Sequence, residues 1–229
     1  VAVRRLWWTL AFVDLRDRAG PLPTMRRTAH QPPVAGGAAA SLVLRDNLRN
    51  RRAIERAYLE AFDTARHEVV IANAYFLPGR RFRAALLAMA ARGVRVRLLL
   101  QGQPEYPLQF HAQRALYGQL LAGGIEIDEY VASYLHAKVA VVDQRWATVG
   151  SSNIDPYSLL LAREANLVVH DAGFARQLAA VLGQALEQHS RRVDADAYAR
   201  RGWLSRARDW CAFFVVRLAT VVLARGRDY

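Results

Sequence analysis

Apolar and polar positions along this chain change period at regular intervals. Within 50–66 the apolar residues Ile54, Tyr58, Ala61, Phe62 and Ala65 recur at three- and four-residue steps, which predicts an amphipathic helix. Ahead of it, "SLVLRDN" reads as a short strand ending in turn residues; after it, "EVVIANAYF" is a β-rich run ended by Pro78-Gly79. A second helix is predicted over 81–92, with Gly93 placed as its C-terminal cap. "VRVRLLL" alternates and then turns apolar, as a buried strand does. Residues 110–122 read as a third helix closed by Gly123-Gly124, and "IEIDEYV" as the next strand. This alternation of strand and helix predicts an α/β layer with a mixed, largely parallel sheet and helices on both faces.

Beyond residue 130 the pattern changes. "HAKVAVVD" and "WATVGSSN" are β-like runs separated only by Gln144-Arg145, which predicts an antiparallel hairpin. With those two residues as the loop, Asp143 faces Trp146, Lys138 faces Ser151 and His136 faces Asn153. Side chains two apart on a strand share a face, so His136, Lys138, Ser151 and Asn153 are expected together. A register shifted by one residue would scatter them. "EANLVVHD" is a further strand, and Asp171 then caps a helix running to about His189. Pro, Gly and Ala dominate 18–40, which reads as a linker. The expected division is a remnant of a preceding domain at 1–17, that linker, a main domain at 41–190, and a basic and apolar tail at 191–229. The chain opens at Val1 with neither a start methionine nor a clear signal peptide, so an upstream part of a longer protein is expected.

Composition adds a direction. The 229 residues suffice for one good-sized core and carry a formal charge of +12. That charge favours nucleic acid, an anionic membrane surface or phosphate-bearing substrates. The single cysteine, Cys211, excludes an internal disulfide, and no Cys/His cluster has zinc spacing. No metal or other cofactor is expected.

Among 32 Lys and Arg, only Lys138 is a lysine, and it stands two residues after His136. An imidazole, an ammonium, a hydroxyl and a carboxamide on one spot make a phosphate site. Imidazole can attack phosphorus or protonate a leaving oxygen. An ammonium is a compact point charge for a non-bridging oxygen, where a forked guanidinium would not fit. Hydroxyl and amide donors stabilise charge on the remaining oxygens. His30, His67, His111, His170 and His189 lack such company and read as structural.

The spacing His136-x-Lys138-x4-Asp143-x6-Gly150-Ser151-x-Asn153 resembles the signature of the phospholipase D superfamily without a departure. "VVIANAYFLPG", "ARGVRVRLLLQGQPEYP", "WATVGSSNIDPYSL" and "EANLVVHD" further resemble the C-terminal half of bacterial cardiolipin synthases, the type B form most of all. The resemblance implies a phospholipase D-like catalytic domain at 41–190. It implies that the motif histidines act as nucleophile, through a phosphohistidine, and as general acid. Lys138 and Asn153 would bind phosphoryl oxygens with help from Ser151. Asp143, at the turn, would support the motif without transferring a proton. Glu164 matches an acidic position that orients the opposite histidine. Family members carry two such motifs and this chain has one, so a missing N-terminal half or a homodimer partner is expected to supply the other.

The function so implied is phosphatidyl transfer, making cardiolipin from phosphatidylglycerol, with anionic phospholipid and a membrane surface as partners. A nuclease or phospholipid hydrolase of the same superfamily is the alternative, and a non-catalytic half a third. In the tail, the apolar stretch 210–224 lies beside Arg200, Arg201, Arg206 and Arg208 and is too short for the ~20 residues a span needs. It suits an interfacial anchor on anionic lipid, or a helix packed on the domain. The anchor favours lipid over nucleic acid and a peripheral place on the cytoplasmic face of the bacterial inner membrane.

Overall fold

The computed structural model describes residues 38–46, 50–160 and 162–225. The remnant expected at 1–17 and nearly all of the linker lie outside them; Ala40 already opens the first strand. In chain order the elements are β1 (Ala40–Arg45), α1 (Ala53–Thr64), β2 (Glu68–Asn73), α2 (Arg80–Ala91), β3 (Arg95–Gln101), α3 (Pro107–Arg114), α4 (Tyr117–Ala122) and β4 (Glu126–Tyr130). There follow β5 (Lys138–Val142), β6 (Trp146–Gly150), α5 (Pro156–Leu160), β7 (Glu164–Val169), α6 (Ala172–Gln188), β8 (Ser190–Arg192), α7 (Ala195–Ala199) and α8 (Trp203–Arg225). The helix expected over 110–122 is two helices, the first entered through Pro107, whose fixed φ and missing N–H suit a first turn.

The strands form one mixed sheet in the order β1-β7-β6-β5-β2-β3-β4-β8. Parallel pairing joins β2 to β3 and β3 to β4, which are linked by helical crossovers. The other pairings are antiparallel, so the largely parallel sheet is confined to this part. Past Tyr130 the short loop between β5 and β6 makes an antiparallel hairpin, and the return through α6 brings β8 back antiparallel to β4. The boundary expected at residue 190 falls inside β8, which pairs with β4 and extends the sheet.

Each face of the sheet carries its own core. On one, Ile54, Phe62, Phe82, Leu86, Tyr117 and Leu120 from α1, α2 and α4 cover Ile71, Leu98 and Ala140. On the other, Ala175, Leu182 and Leu186 of α6 cover Val70, Ala72, Leu99, Val141 and Ala147. Each such buried large side chain is worth about 1.5–3 kcal/mol. The α6 helix starts where expected: the Asp171 carboxylate accepts from Phe174 N at 2.7 Å.

The expected hairpin register needs correction. Val142 pairs with Trp146 and Val139 with Val149, one residue out of step with the two-residue loop. The loop is Asp143-Gln144-Arg145, with Asp143 at φ 48° and Gln144 at φ 52°, both left-handed. A distant contact holds it there. The Asp143 carboxylate accepts from the backbone N–H groups of Arg66, His67 and Glu68 at 2.8, 2.8 and 2.9 Å, and Asp143 N donates to Glu68 O at 2.9 Å. Aspartate tolerates the left-handed region better than most residues, and here its side chain is also repaid with three donors.

The apolar tail is α8, and it packs along α3. Ala212 and Asp209 are buried on the packed side. Asp209 is held by His111 Nδ1 at 3.0 Å and by Arg201 at 2.9 Å, which satisfies the buried carboxylate. The opposite side exposes Trp203, Leu204, Trp210, Phe214, Val215, Leu218, Val221 and Val222.

Candidate active site

β5 begins at the centre of the sheet, and Lys138 is its first residue. It is opposed by Asn73, the last residue of β2, and continuing the hairpin register by one residue sets it opposite Gly150 at the end of β6. Lys138 is 7% exposed, and its Nζ donates to His136 O at 3.3 Å. Burial holds the Lys138 ammonium below the usual lysine range, and the carboxylates of Glu164, Asp155 and Glu105 oppose that shift. His136 is exposed to solvent just ahead of the strand. Nucleophile candidate and cation are therefore placed differently, one reachable and one sunk.

The one-residue shift ought to carry Ser151 off this face, yet Ser151 is brought back. The chain leaves β6 at Gly150, where a Cβ would lie 2.2 Å from Asn166 Oδ1 and 2.6 Å from Ala165 O. Only glycine lets the two backbones approach so closely. Past it, Ser151 N donates to Ala165 O at 3.0 Å, Ser151 Oγ accepts from Ala165 N at 3.1 Å, and its hydroxyl donates to the Glu164 carboxylate. Glu164 sits above the usual carboxylate range because it is buried, and Asp155 adds to the shift; Ser151, Ser158 and Lys138 pull the other way. Lys138, Ser151 and Glu164 thus share one electrostatic neighbourhood.

Asn153 Oδ1 is buried with no partner among the described residues. Asp143 is placed apart from the others, five residues along β5 from Lys138 and roughly 16 Å away at ~3.3 Å per residue. Its carboxylate is committed to backbone N–H groups, which outweigh burial and hold it below the usual aspartate range.

Two polar residues of this neighbourhood were missed in the sequence. Asn73 is fully buried, and its Oδ1 accepts from Ile154 N at 3.1 Å, pinning the segment after Asn153. An asparagine closing the apolar run "EVVIAN" was the available signal. Asp155 accepts from Ser158 N at 2.9 Å and Ser158 Oγ at 3.3 Å. Burial lifts its carboxyl above the usual range against those bonds and against Lys138. Among the described residues, no group of three or more His, Cys, Asp and Glu is arranged to hold a metal ion.

A family model described as "Cardiolipin synthase, PLD-like domain" matches residues 58–186, which include the whole of this neighbourhood. The chain belongs to that family. It is 44% identical over 182 residues to cardiolipin synthase B of Escherichia coli K12, covering 80% of this chain and 44% of that protein. To cardiolipin synthase 2 of Bacillus anthracis it is 33% identical over 148 residues, 65% of this chain and 29% of the other. It therefore spans less than half the length of these curated relatives. Among solved structures, phosphatidylserine synthase of Haemophilus influenzae superposes with a TM-score of 0.61 at 15% identity, over 81% of this chain and 46% of that one. The phospholipase D family member Nuc of Salmonella typhimurium gives 0.57 at 18% identity, over 69% and 99%. At those identities the likeness speaks for the phospholipase D-like fold.

Within this cardiolipin synthase-like domain, the sheet's central strands deliver Lys138 and Asn73, and the adjoining ends of β6 and β7 deliver Ser151 and Glu164. Such an arrangement can bind an anionic phosphoryl group on a recessed cation while an imidazole stands free beside it.

Proposed function

We propose that the protein containing this chain transfers phosphatidyl groups between phospholipids, making cardiolipin from two molecules of phosphatidylglycerol and releasing glycerol. The observation that carries this reading is the lone lysine, buried at the head of β5 beside an exposed histidine and the Ser151–Glu164 pair. The 44% identity to a cardiolipin synthase supports the choice of phospholipid as substrate.

In the first half-reaction a histidine nitrogen attacks phosphorus of one phosphatidylglycerol. The P–O bond to the glycerol headgroup breaks, and the leaving oxygen takes a proton from a second histidine. Glycerol departs, leaving a phosphatidyl-histidine. In the second half-reaction a headgroup hydroxyl of another phosphatidylglycerol gives its proton to the second histidine and attacks phosphorus; the P–N bond breaks and cardiolipin leaves. Lys138, Asn153 and Ser151 hold the non-bridging oxygens, and Glu164 orients the opposing histidine. Asp143 anchors the hairpin.

Displacement in line needs a nucleophile on one side of phosphorus and an acid on the other, so His136 fills one role only. A preceding domain or a second copy across a two-fold axis supplies the other histidine. Activity of the isolated chain is expected to track dimer formation. Sedimentation velocity combined with an assay across protein concentration tests this. A dilute monomer that turns over with His136 essential would contradict it.

The protein works peripherally on the cytoplasmic face of the inner membrane. No described helix is long and apolar enough to cross a bilayer. The exposed side of α8 is apolar and carries two tryptophans, and Asp209, the only acid in 200–225, is buried away from it. A surface of that kind lies flat on anionic lipid. Co-sedimentation with phosphatidylglycerol vesicles is expected, and no shift of DNA in a gel. The reverse outcome would favour a nuclease.

A further inference from the structure

A shallow hollow lies beside the segment that leads into β5. Tyr75, Gln101, Gln103, Glu105, Tyr106 and Gln109 are among its walls. One side-chain and one backbone contact tie it to the segment ahead of β5: Gln101 Oε1 accepts from Leu135 N at 2.9 Å, and Ala74 N donates to Ala137 O at 3.0 Å. Two of its wall residues therefore touch the chain neighbours of His136 on either side.

The chemistry of its walls is unlike that of the rest of the chain. The chain has 32 cationic side chains, yet among the described residues none lines this hollow. With Gln113 it offers four carboxamides, two phenols and one carboxylate instead. A carboxylate repels phosphate, so the hollow is unsuited to the phosphoryl group that Lys138 attracts. Carboxamides, phenols and a carboxylate together donate and accept hydrogen bonds without a net positive charge, as recognition of neutral hydroxyls requires.

A second observation points to an absent ligand. Gln101 is 4% exposed, and the bond from Leu135 N fixes its Oε1 toward the backbone. Its Nε2 is buried and finds no acceptor among the described residues. A buried amide donor left unpaired is costly, and a ligand oxygen would relieve that cost. Tyr75 OH donates to Glu105 Oε2 at 2.8 Å, which leaves the phenol oxygen and the other carboxylate oxygen able to accept. Burial first, then the Glu105 carboxylate, holds the Tyr75 phenol well above its usual range, so it stays protonated.

We propose that this hollow, with room for little more than one hydroxyl, is the floor of an open polyol subsite that holds the glycerol headgroup by its hydroxyls. The proposal rests on the transfer reading above. Because the second half-reaction is the first run backwards with a different alcohol, one subsite serves both the departing glycerol and the attacking headgroup hydroxyl. Gln101 donates to one hydroxyl oxygen, while Glu105 and Tyr75 accept from hydroxyl protons. The preference is for a vicinal polyol over a simple alcohol of the same length.

A competition assay tests this in the active assembly. Phosphatidylglycerol vesicles are incubated with isotopically labelled glycerol and 1-propanol at equal concentration, and the two phosphatidyl products are measured together by mass spectrometry. The wild type is expected to favour glycerol. Tyr75→Phe and Glu105→Gln are each expected to lower the glycerol-to-propanol ratio about tenfold, as loss of a hydrogen bond to a charged or polar partner does. The ratio is internal to each variant, so a variant of lower overall activity still reports. Ratios within twofold of wild type in both variants would overturn the subsite, as would a wild type that transfers without preferring glycerol. A wild type that transfers to neither alcohol would overturn the transfer reading beneath it.

Discussion

Asp143 belongs to the His-Lys-Asp signature by spacing, yet its surroundings make it a clamp, and Asp143→Ala separates the two roles. The substitution removes the acceptor of three backbone N–H bonds at 2.8, 2.8 and 2.9 Å that tie the β5–β6 loop to the start of β2. Bonds to a charged group contribute about 1.5–3 kcal/mol each when well shielded. These are partly open to water, so about 1 kcal/mol each is the better figure. Alanine at φ 48° adds roughly another 1 kcal/mol of left-handed strain. The sum is about 4 kcal/mol, or roughly 8–16 °C in melting temperature for a domain of this size. Asp143→Asn keeps one acceptor and tolerates the backbone, so it is expected to cost about 1–2 kcal/mol. The pH dependence has a definite sign. The folded carboxyl is held below its ordinary 3.8, so its stabilisation is complete above that value and lost as pH falls through the folded one. The gap between wild type and alanine variant, measured by circular dichroism melts, is therefore expected to persist from neutral pH to about 4 and to close below it. Melting curves that overlay wild type while transfer is abolished would refute the clamp and put Asp143 in the chemistry.

Lys138→Arg is expected to be nearly as damaging as Lys138→Ala although charge is kept, because a planar fork cannot occupy a place 7% exposed without displacing phosphate; a misplacement near 1 Å costs ~100-fold in turnover, and near wild-type rates would refute this. Gly150→Ala forces a Cβ to within 2.2 Å of Asn166 Oδ1 and 2.6 Å of a backbone carbonyl, so a loss of about 2–3 kcal/mol is expected in urea titrations together with loss of transfer. An alanine variant as stable as wild type would show that β6 and β7 can separate there at little cost. Transfer from phosphatidylglycerol vesicles is expected to continue in EDTA, since Lys138 supplies the charge that a metal would bring; complete loss of product would sink that role for the lysine.

Much of this architecture was legible without coordinates, because the signals were local. Strand runs of period two, helix runs of period three to four, and the Asp171 cap depend on residues within a turn or two of each other. The spacing of the imidazole and the lone lysine is just as local, but that the strand starts only at Lys138, leaving His136 exposed ahead of it and the lysine buried, was not legible. The register of the hairpin was not legible. "QR" is a poor turn by itself, and the loop is settled by the Asp143 carboxylate reaching the backbone at 66–68, a segment some 75 residues earlier. Nor could spacing show that Ser151 survives a one-residue shift, since that depends on Gly150 lying against Asn166 on a neighbouring strand. The tail's composition allowed a helix in lipid or a helix on the domain; the His111–Asp209 contact gives it one packed side and leaves an apolar one open. Sequence fixes the local periods and the kinds of side chain available. Tertiary structure decided which of them meet, because burial and hydrogen bonding between distant segments set the register.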